Sequence, residues 1–284
     1  MKMLYIDGGA CIKCLYCVKV CPQSVFAVNG KSSPWAEAPE RCIACGQCVA
    51  VCPVGAVVHA AFPAAKVHRA EASMRPSPEQ LMELIRTRRS NRAMTGGEVP
   101  EGHLQMILEA AHRAPTAENS QQIEFTLITG KENLRKISSL TIATFSRVRA
   151  LLANPVVKPL LQPFMRDTFK LVPFFDKLKR EFLQGNDGIL RNASAVIIIS
   201  AGRRDRFACE DANLAYQNAS LMAEALGVAH FYTGFVLAAE RITRKLNREF
   251  GISGRICAAM ALGMPAVKFG KYVDRKEMKV TYRR

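Results

Sequence analysis

Apolar positions along this 284-residue chain follow different periods in different stretches, and the periods predict the elements. PEQLMELIRTRRS, from Pro78, carries apolar residues at helical spacing and ends in a cluster of arginines. Ser77 is placed to cap that helix, with Pro78 at its first position. A second helix is expected over Glu101–Arg113 and a strand, IEFTLIT, over Ile123–Thr129. Residues 132–190 read as mostly helical with proline breaks. The unbroken apolar run AVIIIS at Ala195–Ser200 reads as a buried strand. A long helix over Asp205–Leu226 and a last strand over Ile256–Pro265 complete the pattern. Helices interspersed with strands place this part of the chain in a mixed α/β class, although periodicity does not order the strands.

The first 65 residues follow another rule. CIKCLYCVKVCPQSVFAV from Cys11 and CIACGQCVAVCPVGAVVH from Cys42 overlay without gaps, and eight of the ten cysteines lie within them. Each segment reads Cys-x-x-Cys-x-x-Cys-x-x-x-Cys-Pro, the bacterial-type run for a four-iron cluster, in which the fourth cysteine serves the other cluster. One centre is then assigned to Cys11, Cys14, Cys17 and Cys52, the other to Cys42, Cys45, Cys48 and Cys21. Two residues between thiolates let a tight loop wrap one cube, and the longer step into Cys-Pro carries the last sulfur to its neighbour. Zinc is the rival for a Cys-x-x-Cys pair, but structural zinc takes four ligands in two pairs. SVFAVNGKSSPW, between the repeats, reads as a strand, an Asn29–Gly30 turn and a return strand. The segment resembles a two-cluster bacterial ferredoxin. After Phe62 the pattern dissolves, and Pro76 and Pro78 around Ser77 mark a linker. The expected organisation is therefore 1–65 for the cluster domain, 66–79 for the linker and 80–284 for the body.

Composition narrows the function classes. Half the residues are apolar and 23% are charged, as in a globular protein with a proper core. The longest apolar runs fall short of the roughly 18–20 residues a membrane-spanning helix needs. No extended apolar segment precedes Cys11, which argues against a secretory signal and makes the cytoplasm the expected address. The net charge of +16 permits attraction to nucleic acid, anionic lipid or an acidic protein partner, and equally suits a solvated basic surface with a few arginines holding a phosphate. Nucleic acid is not expected, because no basic run is interleaved with aromatics.

Three features of the body carry chemistry. RRSNR at Arg88–Arg92 combines guanidinium forks and a hydroxyl suited to phosphate or carboxylate. APTAENSQQ at Ala114–Gln122 is a polar loop between helix and strand. In LGVAHFYTGF, Gly227 ends a helix and Gly234 would let backbone approach a flat ring. In this order, and closed by ALGMP with a basic tail, these motifs resemble the nitroreductase family of FMN flavoproteins from about Leu81 to Lys276. The resemblance implies an α+β protein: a ferredoxin-like domain with two [4Fe-4S] clusters, then an α/β nitroreductase fold. By the same resemblance Arg88, Arg89, Ser90 and Arg92 hold the FMN phosphate and ribityl chain. Pro115, Thr116, Ala117 and Asn119 would come from the second subunit of a homodimer. Thr233, Gly234 and Phe235 would lie against the isoalloxazine, and Lys271 and Arg275 would return to the phosphate. Gln121, Gln122 and Ile123 depart from the Gln-Pro-Trp frequent in the family, and Lys271 stands where arginine is frequent.

The implied activity is that of an oxidoreductase in which the clusters feed FMN and FMN reduces a small organic acceptor. The alternative is an electron-transfer adaptor relaying electrons to a protein partner. A ferredoxin, a flavodoxin or NAD(P)H is the expected donor, although no Gly-x-Gly-x-x-Gly loop occurs. No side chain is assigned as a catalytic acid, base or nucleophile. Residues 141–190 lack a family signature and read as a helical insertion, either a lid over the flavin or a hairpin packed on the body. Cys209 and Cys257 read as packed thiols. The five histidines show no metal-ligand spacing, and His230 is the one nearest the flavin-like motif.

Overall fold

The computed structural model describes residues 4–30, 32–164 and 169–283. The chain forms two compact units. The first comprises residues 1–75 together with the loop 116–121, and the second comprises 76–115 and 122–284.

In the first unit, β1 (Leu4–Ile6) pairs antiparallel with β4 (Val57–His59), and β2 (Phe26–Val28) pairs antiparallel with β3 (Pro34–Ala36). The Asn29–Gly30 turn expected between β2 and β3 is there, and the Asn29 carboxamide oxygen accepts the Ser33 N–H at 3.0 Å. Two five-residue helices, α1 (Tyr16–Val20) and α2 (Gln47–Val51), repeat the same local design. Each is entered from a left-handed residue, Leu15 at φ 61° and Gly46 at φ 73°, which turns the cysteine loop sharply into the helix. The core is small: Leu4, Cys17, Val25, Phe26, Cys48 and Val57.

The second unit is built on a four-stranded antiparallel sheet in the order β5 (Ile123–Thr129), β6 (Ala195–Ala201), β8 (Arg255–Gly263), β7 (Ala229–Tyr232). All seven residues of β6 are buried, because helices cover both faces. Val196 and Ile198 face one cluster with Phe145, Phe175 and Val236, while Ala195, Ile197 and Ile199 face another with Leu104, Ile107 and Ala212. This two-residue alternation is hidden in the sequence because both faces are apolar. The second face is closed by α4 (Glu101–His112) and α8 (Ala208–Ala225), the latter through a stripe of buried alanines at 208, 212, 215, 219 and 223. The other face is covered by α5 (Lys131–Ala153), α7 (Val172–Leu183) and α9 (Gly234–Thr243), while α6 (Val157–Leu161) follows α5 at the Asn154–Pro155 break and α10 (Lys245–Glu249) follows α9.

The helix α3 (Pro78–Thr87) begins where its cap predicts. Ser77 Oγ accepts the Gln80 N–H at 3.2 Å, and Gln80 Oε1 accepts the Ser77 N–H at 2.9 Å, a complete capping box. The sequence pattern does not announce β1, β4, β7 or α9. In 141–190 the structure has helices packed on the sheet, with Phe145 stacked on Phe175 at 4.7 Å between ring centroids; residues 165–168 lie outside the described part.

Candidate metal centre and anion site

The eight clustered cysteines line two separate cavities. Cys11, Cys14, Cys17 and Cys52 border one, and Cys21, Cys42, Cys45 and Cys48 border the other. The groups are the two quartets that the crossed Cys-Pro spacing predicts. None of the eight is in a disulfide. Backbone donors surround the sulfurs in matching pairs. The Lys13 N–H reaches Cys11 Sγ at 3.4 Å as Ala44 N–H reaches Cys42 Sγ at 3.4 Å, and the Val25 N–H reaches Cys21 Sγ at 3.4 Å as Ala56 N–H reaches Cys52 Sγ at 3.2 Å. Donors aimed at sulfur stabilise thiolate charge, as an iron–sulfur centre requires. Without a metal, crowding acts the other way. Burial first, then the neighbouring Cys42, Cys45 and Cys21, push the Cys48 thiol up to about 11; burial first, then Cys11 and Cys14, raise Cys17. Among the described residues no three His, Cys, Asp or Glu side chains converge closely enough to hold a single metal ion. Three closely spaced cysteines with a fourth from the other repeat suit a cube, whereas structural zinc takes its four ligands in two pairs.

One more side chain reaches a sulfur. His59, buried at 3% exposure, places Nε2 at 3.4 Å from Cys42 Sγ, while its Nδ1 accepts the Ala61 N–H at 3.0 Å. Burial lowers its pKa, favouring the neutral ring. The histidine survey by spacing passes over it, because it binds no metal directly; the signal lies in the repeat, where His59 overlays Val28.

In the second unit, the RRSNR segment runs beside the end of β8. Thr95 N–H donates to the Met264 carbonyl at 3.0 Å, Ala266 N–H to the Ala93 carbonyl at 2.9 Å, and Asn91 Nδ2 to the Val267 carbonyl at 3.2 Å. The pairing joins Arg88–Arg92 to the segment that runs on into Lys271 and Arg275, both exposed. Arg92 lies over the Phe231 ring at 5.4 Å, Ser90 is exposed, and Arg88 is half-buried near Tyr216 and His230, acting on the charge state of both. Among the described residues, the guanidinium groups of Arg88, Arg89 and Arg92 have no carboxylate partner. Thr233 is buried, its N–H and Oγ1 both donating to the Ala259 carbonyl, at 3.0 and 3.2 Å. Gly234 opens α9 with nothing within 4 Å of where a Cβ would stand.

The nitroreductase family model matches residues 85–264, well over half of the chain. The chain belongs to the nitroreductase family. Its N-terminal residues 3–54 match a 4Fe-4S dicluster domain, so this is a nitroreductase-family oxidoreductase with two four-iron clusters at its head. Among solved structures, a nitroreductase with bound FMN from Desulfitobacterium hafniense DCB-2 is 20% identical, with a TM-score of 0.54 over 72% of this chain and 98% of that one. A nitroreductase with bound FMN from Bacteroides fragilis NCTC 9343 is also 20% identical, with a TM-score of 0.52 over 72% and 99%. An FMN-dependent nitroreductase from Clostridium difficile R20291 is 17% identical, with a TM-score of 0.50 over 71% and 99%. At such identity the likeness shows the shared fold. No curated protein matches.

The remaining residues singled out by the nitroreductase resemblance fall in two places. Phe235 turns its ring into the aromatic packing, 5.8 Å from Phe145 and 5.4 Å from Phe174. Pro115 ends the segment leading out of α4, while Thr116, Ala117 and Asn119 belong to the loop of the first unit. In that loop Asn119 Nδ2 donates to the Ile43 and Ala44 carbonyls at 3.1 and 3.0 Å, and Thr116 Oγ1 accepts the Gln121 N–H at 3.1 Å. Glu118, Asn119 and Gln121 all adopt positive φ, near 50°, a concentration of strain that these contacts hold in place. His230 is fully buried, with Nε2 3.0 Å from Ser220 Oγ and Nδ1 3.1 Å from the Val228 carbonyl, the bonding of a packed ring. No helix among the described residues is long and apolar enough to cross a membrane.

Proposed function

We propose that this chain is an FMN-dependent oxidoreductase in which the two clusters of the head supply the flavin with electrons for a small organic acceptor. When bound, the clusters pass electrons singly and FMN pairs them for delivery to the acceptor. The observation that carries the flavin part is the set of guanidinium groups at Arg88, Arg89 and Arg92, none of which has a carboxylate partner among the described residues. Uncompensated cations so grouped call for an oxyanion, and bidentate arginine suits a phosphate. Arg88, Arg89, Ser90 and Arg92, with Lys271 and Arg275 from the tail, would hold that phosphate. Thr233 and Gly234 would present bare backbone to the ring system, because the Phe235 ring points into the aromatic packing. The FMN bound in the structurally similar nitroreductases from Bacteroides fragilis and Desulfitobacterium hafniense supports this choice of flavin. In the proposed homodimer, Pro115, Thr116, Ala117 and Asn119 would serve the flavin site of the second subunit. No acid–base side chain is assigned, since the reaction as proposed transfers electrons and hydride through the flavin.

Protein purified without oxygen should contain iron and acid-labile sulfide for two cubes and one flavin per chain. After reduction with dithionite, addition of nitroaromatic, quinone, enone or halogenated acceptors one by one should restore the oxidised flavin spectrum with at least one class. Full cluster content without flavin would refute the proposal. Reoxidation by protein partners alone would favour the adaptor.

A further inference from the structure

The two halves of the head share the backbone N–H contacts to their cysteine sulfurs but differ at the last position of the repeat. Each quartet has one backbone N–H aimed at the sulfur of its first cysteine and one at the sulfur of its Cys-Pro cysteine, at 3.2–3.4 Å. The last position of the repeat breaks the match. In the first half it is Val28, 42% exposed and carrying no donor; in the second it is His59, buried at 3% and 3.4 Å from Cys42 Sγ. The tautomer follows from the other ring nitrogen. Nδ1 accepts the Ala61 N–H and so carries no proton, which leaves the proton on Nε2, facing sulfur. The ring is held there by Phe62, 4.9 Å away, which in turn lies over the backbone of Gly46.

We propose that His59 is a tuning residue that selectively raises the electron affinity of the centre held by Cys21, Cys42, Cys45 and Cys48. This rests on the cluster assignment above and is independent of whether flavin binds. Reduction adds one negative charge to a cube, so a donor on a ligating sulfur stabilises the reduced form more than the oxidised one. Lys13 and Lys19 act on the first centre in the same direction, but both are exposed and their charges are screened by water. A buried donor in direct contact outweighs them. With a one-electron reductant supplied, the centre held by Cys21, Cys42, Cys45 and Cys48 would take the electron in preference to the other, the reductant being oxidised and no proton moving. The Cys42 loop is also the one whose Ile43 and Ala44 carbonyls take the Asn119 amide, so the loop that carries the tuned centre's ligands is bonded to the 116–121 loop.

The test is an anaerobic reductive titration of the full-length protein followed by low-temperature electron paramagnetic resonance, with iron, sulfide and flavin measured on each sample. In His59→Leu one cluster should lose electron affinity about tenfold, equivalent to about 59 mV for a one-electron couple, while the other stays in place. Two midpoints unchanged from the wild type would overturn the proposal. Should His59→Leu fail to take up full iron, the wild-type protein decides. With its histidines labelled with ¹⁵N, the reduced protein should show a ¹⁵N coupling to one cluster spin, and its absence would overturn the assignment. Loss of flavin alone would affect the proposed function and leave this measurement intact.

Discussion

At position 230 both ring nitrogens are engaged: Nδ1 donates to the Val228 carbonyl and Nε2 accepts from Ser220. Burial, first of all, pushes its pKa down to about 4, with Arg88 adding to the fall. The unfolded chain takes up a proton on this ring below pH 6.5, whereas the folded chain stays neutral until about pH 4. Stability from this ring is therefore complete above pH 6.5 and lost as pH falls toward 4, by at most about 3 kcal/mol. Urea unfolding followed by circular dichroism at pH 7 and pH 5 should show a shallower pH dependence in His230→Gln; an identical slope would contradict the assignment. Gly254 is the other position where one atom decides. At φ 73°, an added Cβ would stand 2.1 Å from the Ala201 carbonyl oxygen. Gly254→Ala should cost more than about 2 kcal/mol, measured by the same unfolding curve.

Among the elements, those visible in the sequence are the ones whose pattern is local. The β6 run of branched apolar residues needs no partner to be recognised, and α3 carries its own cap. The strand β7 is only AHFY, lying between a helix exit and Thr233, and it becomes a strand because β8 offers an edge. The three-residue β1 and β4 exist only through each other, 50 residues apart, so no window contains them. The cysteine spacing was readable because covalent reach sets it; His59 was less so because its role depends on where β4 ends. Residues 141–190 show the same limit, since their aromatic residues acquire meaning through contact. Phe145 touches both Phe175 and Phe235, and links α5, α7 and α9. Phe145→Ala should lower the unfolding free energy by about 3–5 kcal/mol. A much smaller loss by chemical denaturation would mean that the helices are poorly coupled to the sheet.

For the whole molecule, the two units differ in what sustains them. The second has a sheet with apolar clusters on both faces, but among the described residues the core cluster of the first holds only six buried side chains, two of them cysteines. So small a core calls for its clusters as structural elements. Removing iron with a chelator should make residues 1–75 susceptible to protease while the β6–β8 region stays resistant; equal resistance before and after would show a head stable without metal. The exchange of fourth cysteines has a consequence for how this head can be assembled or altered. Because Cys52 borders the cavity of Cys11, and Cys21 that of Cys42, each half-domain closes a cavity that belongs mainly to its twin. The halves are interlocked. Neither can be excised, traded for a foreign motif or lost by degradation without opening the surviving one, so the two inorganic centres should enter and leave the protein together.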